Sequence, residues 1–426
     1  MEAETIKKKK VELSPQTRFK EFQKPWLQLT LGDLLSFKNG LNLDKGRYGS
    51  GVKFINVLDI INNDFITHDK IIGSVEVTKN EFEKNSVEYG DILFQRSSET
   101  REEVGQANVY IDKENIAVFG GFVIKGKKIR DYNPKFLNYL LKTAAARKEI
   151  TSKSGGSTRY NVGQDTLKKV IITTTSLPEQ QKIAAFLSAV DKKIQQLTRK
   201  KALLETYKKG VMQKLFSQEI RFKDYNSSKN GILERDFPEW EEKRLGDVAS
   251  FSKGKDISKN DILEDGLNPC IRYGELYTHY SEAIDHTISK TNLSKENLVL
   301  SEAGDVIIPA SGETQIDIAT ASCVIREGVA LGGDLNIMRG DFNGIFLAYY
   351  INSYLKNQIA RLSQGSSVIH LYSKQLMKLN LWLPTLEEQQ KIANFLSAID
   401  KKSEAVSQQI DKMQSFKKGL LQQMFV

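Results

Sequence analysis

Two stretches of the chain carry apolar residues at alternating three- and four-residue steps, each over about five heptads. The first extends from Glu179 to Phe216 and the second from Glu388 to Phe425, and neither contains a proline. This pattern predicts two long helices with coiled-coil seams, each about 57 Å long at 1.5 Å per residue. The predicted seam residues are Ile183, Leu187, Val190, Ile194, Leu197, Leu204, Val211, Ile392, Leu396, Ile399, Val406, Ile410, Met413 and Leu420.

Polar residues interrupt the first seam at Lys201 and Lys208. One helix of this length cannot bury its own apolar stripe, whereas two copies on one chain can cover each other. We therefore expect the two helices to form an antiparallel coiled coil across a pseudo-two-fold axis. The alternative is an ordinary amphipathic helix on each domain, although the stripe is long for a domain of this size.

The two helices are part of a tandem repeat that covers most of the chain. The segment beginning at Trp26 returns at Trp240, 214 residues later, and the Gly90–Asp91 dipeptide returns as Gly304–Asp305. Farther along, Gly120–Gly121 corresponds to Gly332–Gly333. The Gly-Ser pair at 155 and 157 aligns with the pair at 365 and 367, and the helices align at an offset of 209. Because the offset drifts so little, the chain is a duplication with two similar units.

The part of each repeat that precedes its helix has mixed α and β character. Short apolar runs at 52–57, 91–94, 116–124, 306–308 and 329–338 predict strands, and helical stretches are expected near 134–150 and 343–362. The fold class is therefore α/β in a mixed α+β arrangement. The predicted boundaries are a first domain at 1–175, a helix at 176–217, a linker at 218–238, a second domain at 239–384 and a helix at 385–426.

Sequence identity between the copies is high in the helices and low in the domains, especially between Gly40 and Gly90. Similar frames with different surfaces are what a protein needs in order to read two different short sequences. Surface loops that drift apart after duplication give the same pattern, so this comparison leaves both explanations open.

Charge and composition indicate the class of partner. The net charge is +9 and the pI is near 9.1, which favours a polyanion, nucleic acid before a membrane surface. The chain has no secretory signal pattern and no run of apolar residues long enough to span a bilayer. Two cysteines and four histidines have no zinc-site spacing, and we expect a reducing cytoplasmic location without a metal.

Motifs for catalysis are missing from the sequence. It contains no Walker loop, His-Glu-x-x-His, paired-cysteine site or nucleophile elbow. It also lacks the Asn/Asp-Pro-Pro-Tyr/Phe tetrapeptide of amino-methyltransferases, since the Asn-Pro pairs at 133 and 268 continue with Lys135 and Cys270. We therefore expect that the chain is not an enzyme.

A repeated Ser-x-Glu-Thr loop follows a predicted strand in each domain. Glutamate can accept a hydrogen bond from cytosine N4, arginine can donate to guanine O6 and N7, and glutamine can address adenine. A hydrogen-bonded turn that caps the strand is an equally plain explanation. The candidate DNA contacts here are Arg96, Ser97, Glu99, Thr100, Arg101, Ser311, Glu313, Thr314 and Gln315.

A glycine- and serine-rich loop forms the second candidate in each domain. Small residues allow a close approach to phosphates, and neighbouring aromatic and basic side chains can reach groove edges. Lysines near the repeated turn at Gly40 and Gly254 could neutralise phosphates or simply be solvated. These candidates are Ser157, Arg159, Tyr160, Ser367, His370, Tyr372, Lys38, Lys253 and Lys255.

Taken together, these motifs resemble the specificity subunit of type I restriction–modification systems. The resemblance rests on the Trp-x4-Leu-Gly-Asp opening, the Gly-Asp strand, the Gly-Ser loop and the duplicated helix signature Glu-Gln-Gln-Lys-Ile-Ala-x-Phe-Leu-Ser-Ala. It covers nearly the whole chain in the family's order of domain, spacer helix, domain, spacer helix.

The resemblance implies a non-catalytic subunit that reads a bipartite, asymmetric double-stranded DNA target, with one domain per half-site. It also implies two modification subunits, which use S-adenosylmethionine to methylate adenine, and two restriction subunits, which use ATP and Mg²⁺. Helix residues off the seam, such as Phe186 and Phe395, are candidates for the surface that faces the modification subunits. The alternative function is a coiled-coil scaffold whose twin domains bind protein, and an independent modification enzyme is disfavoured by the missing tetrapeptide.

Overall fold

The computed structural model describes residues 13–228, 231–365 and 368–426, apart from the side chains of residues 225–234. The chain divides into two compact units. Unit 1 contains Met1–Leu197 with Gln408–Val426, and unit 2 contains Thr198–Ser407. Each unit therefore combines one domain with the first part of the helix that follows it and the last part of the other long helix.

Unit 1 has short strands and helices before its long helix. Its elements are β1 (Leu27–Thr30), α1 (Leu31–Leu34), β2 (Leu35–Asn39), β3 (Tyr48–Ile55), α2 (Val57–Ile61), β4 (Ser74–Val75), α3 (Lys79–Asn85), β5 (Ile92–Gln95), β6 (Ser97–Ser98), β7 (Ala107–Val109), β8 (Val118–Phe119), β9 (Val123–Lys128), α4 (Pro134–Leu141), α5 (Ala144–Ser152), β10 (Tyr160–Asn161), α6 (Gln164–Lys168), β11 (Ile171–Thr174) and α7 (Leu177–Phe216), of which α7 continues into unit 2.

Unit 2 has a similar order of elements after a hairpin, with differences before and after its central strand. Its elements are β12 (Lys223–Ser228), β13 (Gly231–Asp236), β14 (Glu241–Arg244), α8 (Leu245–Val248), β15 (Ala249–Lys253), β16 (Asn268–Ile271), α9 (Glu275–Thr278), β17 (Ala283–Ile284), β18 (Ser289–Thr291), β19 (Val299–Leu300), β20 (Asp305–Pro309), β21 (Ser311–Gly312), α10 (Gln315–Ile318), β22 (Ser322–Val324), β23 (Ala330–Leu331), β24 (Leu335–Gly340), α11 (Gly344–Tyr350), α12 (Lys356–Leu362), β25 (Ile369–His370), α13 (Ser373–Leu376), β26 (Asn380–Leu383) and α14 (Leu386–Gln423), of which α14 continues into unit 1.

The sheets of the two units correspond. The main sheet of unit 1 is antiparallel in the order β2-β9-β5-β7, and that of unit 2 has the order β15-β24-β20-β22-β17, in which the edge strand β17 pairs parallel with β22. A smaller sheet, β4-β3-β8 or β18-β16-β23-β19, contains a parallel pair in each unit. Strands β1 and β11, like β14 and β26, pair at the base of the long helix. The observed fold is thus mixed α+β and duplicated, as the sequence predicts.

The central strands β5 and β20 are buried along their whole length, which explains their uninterrupted apolar sequences. The repeated Gly-Asp dipeptide lies at the start of each of these strands. The carboxylate of Asp91 accepts a hydrogen bond from the backbone of Glu88, and that of Asp305 is bound by the guanidinium of Arg339 at 2.7 Å. The dipeptide is therefore a structural element of the sheet.

The helical stretch expected near 134–150 consists of two helices. Asn133 caps α4 by accepting a hydrogen bond from the amide of Phe136 at 3.0 Å, and Pro134 occupies the first helical position. Thr143 then caps α5, because its hydroxyl accepts from the amide of Ala146. In unit 2 the corresponding stretch continues from α11 to α12 through a π-helical turn at Ile351–Leu355.

The core of unit 1 is completed by residues from the far end of α14. The ring of Phe425 lies 6.1 Å from that of Trp26 and 5.4 Å from that of Phe136, and Leu420 and Met424 are buried in the same cluster. In unit 2 the end of α7 has the same role. There Phe216 packs against Phe346 and Tyr350, beside Trp240.

Within each unit the two long helices run antiparallel. In unit 2 the ammonium of Lys201 donates to the hydroxyl of Ser407 at 3.1 Å, and Lys208 lies 2.8 Å from Asp400. A step of seven residues forward on α7 is therefore matched by seven residues backward on α14. In unit 1 Lys417 lies 2.7 Å from Asp191. The predicted antiparallel pairing is confirmed in this form.

The predicted seam lies at the helix–helix and helix–domain contacts. Of its residues, Ile194, Leu204, Val211, Ile410 and Met413 are half-buried, and the other nine are buried. The two lysines that interrupt the seam have polar partners on α14. Lys201 contacts Ser407, and Lys208 contacts Asp400. Polar pairs inside a coiled coil favour one register over others.

A buried polar cluster recurs in both units. In unit 1 the hydroxyl of Tyr139 donates to Asp191 at 2.6 Å, and Lys417 bridges Asp191 to Asp64, whose carboxylate is 3.8 Å away. In unit 2 Tyr349, Asp400, Lys208 and Glu282 form the equivalent group, with Lys208 lying 3.0 Å from Glu282. Each cluster joins a domain helix to both long helices.

A short segment before each domain covers the start of the long helix, and we call it the strap. The first strap contains Arg18 and Phe19, and the second contains Arg221 and Phe222. In unit 1 Arg18 forms an ion pair at 2.7 Å with Glu179, which also accepts from the indole of Trp26. Arg221, Glu388 and Trp240 repeat this arrangement in unit 2. The predicted linker at 218–238 therefore contains the second strap, with the hairpin β12–β13 inserted between Arg221 and Trp240.

Candidate nucleic-acid interface

The structure brings the two candidate loops of unit 1 together. Strand β6 of the Ser-x-Glu-Thr loop pairs antiparallel with β10 of the Gly-Ser loop, so that Ser97 lies opposite Asn161 and Ser98 opposite Tyr160. The hydroxyl of Ser97 donates to the side-chain oxygen of Asn161 at 2.5 Å. Two motifs that are more than 60 residues apart in sequence thus form one surface, which we call the paired-loop tip.

Unit 2 forms the same tip. Strand β21 pairs with β25, so that Ser311 lies opposite His370 and Gly312 opposite Ile369. The backbone of Leu371 donates to the carbonyl of Ala310 at 2.9 Å, which continues the pairing. The pairing gives an internal alignment of the two tips, in which Ser97 corresponds to Ser311 and Asn161 to His370.

This alignment corrects the correspondence of the Gly-Ser loops. The sequence match places Gly155 opposite Gly365, whereas the structural equivalent of Gly365 is Gly156. Both have positive φ, +112° for Gly156 and +128° for Gly365. A Cβ at Gly156 would lie 2.0 Å from the carbonyl oxygen of Arg159, and one at Gly365 would lie 2.1 Å from that of Val368. Only glycine fits this turn, and the correct offset is 209.

The repeated turn at Gly40 and Gly254 also depends on close backbone contact. A Cβ on either glycine would lie within 2.2 Å of a carbonyl oxygen, that of Gly120 or of Gly332. The close approach of these backbone carbonyls thus explains the repeated glycine at positions 40 and 254.

The three arginines of the unit 1 tip have different partners. Arg101 donates to the carbonyls of Thr151 and Ser152 at 3.2 and 3.4 Å, at the end of α5. Arg96 donates to the carbonyl of Gly121 at 3.3 Å. Arg159 extends into solvent, with its guanidinium 4.0 Å from Glu99. Arg101 and Arg96 therefore hold the loops in place, and Arg159 is the arginine presented at the tip.

The other unit 1 candidates vary in exposure. The side chains of Glu99, Thr100 and Ser157 are exposed, while Tyr160 is half-buried against the core. The amide of Thr100 donates to the hydroxyl of the buried Ser98 at 3.3 Å, so this loop is also a hydrogen-bonded turn.

In unit 2 the hydroxyl of Thr314 accepts from the amide of Asp317 at 3.1 Å and caps α10. Thr314 is therefore a helix cap, while Glu313 and Gln315 remain exposed. The rings of His370 and Tyr372 stack at 6.2 Å and are exposed. Ser311, opposite His370 in the strand pair, is buried, and Ser367 lies outside the described residues.

The candidate lysines lie at the strand ends beside the tips. Lys38 is the penultimate residue of β2 and Lys253 is the last residue of β15, both with exposed side chains, and Lys255 follows. The ammonium of Lys38 donates to the carbonyl of Lys84 at 2.5 Å, a contact that leaves its charge in place.

A polar cleft beside the unit 1 tip contains residues that the sequence analysis missed. Its volume is about 470 Å³, and its lining includes Asn39, Arg96, Asn161 and Gln164. Asparagine and glutamine amides can pair with adenine. The sequence feature that could have identified Asn39 as a candidate is its position directly before the repeated turn at Gly40.

Neither cysteine has reactive surroundings. Cys270 and Cys323 are both buried, and burial raises the pKa of the Cys270 thiol to about 11 and that of Cys323 to about 12.

Among the described residues, no group of three or more His, Cys, Asp or Glu side chains could hold a metal ion. Likewise, none of the described helices is both long and apolar enough to cross a membrane.

The off-seam aromatics of the long helices fall into two sets. Phe186 lies against Phe19 of the first strap, and Phe395 lies against Phe222 of the second, with ring centroids 5.9 and 5.6 Å apart. Tyr207 and Phe416, 209 residues apart, are about half exposed. Tyr207 and Phe416 are thus more exposed than Phe186 and Phe395, whose contact with the modification subunits stays a prediction.

Comparisons with known proteins agree on one family. The model of the type I restriction modification DNA specificity domain matches the chain twice, at residues 23–206 and 238–414. A Methanocaldococcus jannaschii protein named as the MjaX type I restriction enzyme specificity subunit is 25% identical over 414 residues, covering 95% of this chain and 94% of that protein. The MjaVIII specificity subunit of the same organism is 24% identical over 285 residues, covering 64% of this chain and 65% of that protein.

Solved structures share the fold. The crystal structure of a type I restriction–modification S subunit from M. genitalium aligns with a TM-score of 0.58 and 16% identity, over 97% of this chain and 99% of that one. A chain from a study of complex assembly in the type I system aligns with a TM-score of 0.54 and 16% identity, over 94% and 98%.

Proposed function

Because this chain belongs to the family of type I restriction modification DNA specificity domains, and so serves as a non-catalytic DNA-recognition subunit, we propose that each unit reads one half of a bipartite target with its paired-loop tip. The observation that carries this proposal is the joining of two loops that are distant in sequence into one surface, in the same way in both units. A shared frame with different exposed side chains suits the reading of two different half-sites. A protein-binding scaffold is not favoured.

We assign base contacts to exposed side chains of the tips and phosphate contacts to the lysines beside them. In unit 1 the base-reading set is Glu99, Ser157 and Arg159, with Asn39 and Gln164 lining the neighbouring cleft. In unit 2 it comprises Glu313, Gln315, His370 and Tyr372. Hydrogen bonds to base edges carry specificity, whereas Lys38, Lys253 and Lys255 would add affinity that falls with salt.

The family of the chain also suggests its protein partners. We propose that two modification subunits, which would carry S-adenosylmethionine, bind along the long helices, and that two restriction subunits using ATP and Mg²⁺ complete the complex in the cytoplasm. The exposed Tyr207 and Phe416 occupy equivalent positions, which fits two copies of one partner. The predicted boundaries at 175, 217, 238 and 384 are retained as the limits of the exchangeable domains.

The decisive experiment maps methylated adenines in a host that expresses this chain with its modification subunit. We expect one motif made of two short specific parts separated by a fixed number of unspecified base pairs. Exchange of residues 1–175 for another recognition domain should change one part and leave the other unchanged. A continuous motif, or methylation that does not depend on this chain, would contradict the proposal.

A further inference from the structure

The exposed ion pair at the tip of unit 1 has a chemistry that matches one base pair. The side chain of Arg159 is 67% exposed and that of Glu99 is 86% exposed, with 4.0 Å between their charged groups. Exposed pairs of this kind contribute little to folding stability, so both groups can be redirected to a ligand at small cost. Within the part of the chain that the structure describes, the Arg159 side chain has no other ion pair and no hydrogen bond.

The neighbouring arginines lack this freedom. Both side-chain contacts of Arg101 go to the carbonyls at the end of α5, and Arg96 is held by the carbonyl of Gly121. A base-reading arginine needs its fork of donors facing the groove. Arg159 meets this requirement better than the other two.

A G·C pair presents the complementary groups in the major groove. Guanine offers N7 and O6 as adjacent acceptors, which an arginine fork can bind with two hydrogen bonds, and cytosine offers the N4 amino group to a carboxylate. An arginine and a glutamate side by side therefore complement the two bases of one pair. An A·T pair places an amino donor next to N7, where it would oppose the arginine.

The second tip provides an internal comparison. Glu313 corresponds to Glu99, and the exposed Val368 occupies the place of Arg159 in the turn after the positive-φ glycine. Valine has no donor for guanine. The combination of glutamate and arginine thus belongs to unit 1 and not to unit 2.

We propose that Arg159 and Glu99 together specify one G·C base pair in the half-site read by unit 1, Arg159 binding guanine O6 and N7 and Glu99 accepting from cytosine N4. This inference rests on the proposed function and names the base pair that one site selects. Because Val368 stands in the place of Arg159, this Arg-Glu pair cannot act in the half-site read by unit 2.

The test uses the complex of the full chain with its modification subunit and duplexes of the motif obtained by methylation mapping. One guanine at a time in the unit 1 half is replaced by 7-deazaguanine, which lacks the N7 acceptor. With the wild-type protein, affinity should fall about tenfold at one position. With Arg159→Val the normal duplex should already bind about 5- to 150-fold more weakly, and the 7-deazaguanine effect at that position should disappear.

Matched variants separate specificity from folding. Arg159→Lys keeps the charge but loses the fork, and Glu99→Gln keeps the shape, so both should relax the preference for G·C at the same position. Arg130→Val removes an exposed arginine that follows the last residue of β9, whereas the first residue of β9 lies beside the tip. This variant should leave the motif unchanged. The unit 2 half-motif should be identical in every variant.

Two outcomes would overturn the inference. One is a unit 1 half-motif without a guanine whose N7 matters to the wild-type protein, a measurement that needs no variant to fold. The other is an unchanged G·C preference in Arg159→Val. Failure of the proposed function would be visible earlier, as the absence of a bipartite motif.

Discussion

The ammonium of Lys417 lies 2.7 Å from the carboxylate of Asp191, although the two residues are far apart in sequence. Asp191 is nearly fully buried and also accepts a hydrogen bond from Tyr139. A buried carboxylate depends on such partners, because its loss of hydration is compensated by the ion pair and the hydrogen bonds. The contact therefore holds the end of α14 to the start of α7 within unit 1.

Substitution of Lys417 by methionine should destabilise the protein by about 3 kcal/mol, because it leaves the charge of Asp191 buried without its cation. The free energy of unfolding can be measured from urea titrations. Lys418→Met, at an exposed position, should change stability by less than about 0.5 kcal/mol. Adding Asp191→Asn to Lys417→Met should recover part of the loss, and an additive double variant would contradict the coupling.

Acidification should weaken the contact between the first strap and its helix. Burial alone would raise the pKa of Glu179, but the hydrogen bonds from Arg18 and Thr175 outweigh it and lower the pKa below its ordinary value of 4.5. A lowered carboxyl pKa adds stability above the ordinary value, and this contribution is lost as the pH falls through the lowered value.

The stability difference between the wild type and Glu179→Gln should therefore be largest near neutral pH and shrink below about pH 4. Thermal unfolding at a series of pH values measures this difference. Glu114→Gln, at an exposed position, serves as the control. A difference that stays constant down to pH 3 would mean that Glu179 is not stabilised in its ionised form.

Removal of the Phe425 ring should open the core of unit 1. Phe425→Ala is expected to cost about 3–5 kcal/mol, since the ring packs against Trp26 and Phe136. Hydrogen exchange should speed up in the strands of unit 1 and much less in those of unit 2. Phe216→Ala should produce the reverse pattern, and an identical response of both units to either variant would contradict the division of the chain.

Paired insertions in the long helices should change the DNA spacer. Seven residues added after Lys200 and seven after Gln409 preserve the heptad phase and the antiparallel pairs, and they lengthen the coil by about 10 Å. Methylation mapping should then give the same half-motifs with about three more base pairs between them, at about 3.4 Å per base pair. A single insertion should instead disrupt the pairing and lower stability. Changed half-motifs would contradict a spacer role for the helices.

The helices could be predicted closely from the sequence because their signal is local and repeated. A seven-residue period over some 38 residues, without proline, leaves little choice of structure, and the observed helices begin within two residues of the predicted positions. The seam lysines could not be understood in this way, since their partners Ser407 and Asp400 lie on the other helix.

The paired-loop tips were beyond sequence analysis for a physical reason. Strands β6 and β10 have two residues each and carry no periodicity, so the contact between Ser97 and Asn161 depends on the surrounding fold. The register of the Gly-Ser loops was one residue off because identical residues guided the match. The backbone conformation at Gly156 and Gly365 decides it instead.

The straps were missed although the sequence contains their signal. Arg18–Phe19–Lys20 returns as Arg221–Phe222–Lys223, but the inserted hairpin places this match at a different offset from that of Trp26 and Trp240. Because the inserted hairpin changes the offset between the two copies, a sequence comparison misses the repeated strap, although both straps make the same contacts.

The contribution of Phe425 to the core around Trp26 has a consequence for synthesis. About 400 residues separate the two, so at 5–20 residues per second a ribosome needs about 20–80 seconds to supply the missing side of that core. Unit 2, continuous from Thr198 to Ser407, has all of its residues before unit 1 does. The domain that is translated first is therefore the last that can finish folding, and it must keep an apolar surface open, within reach of chaperones, while the other matures.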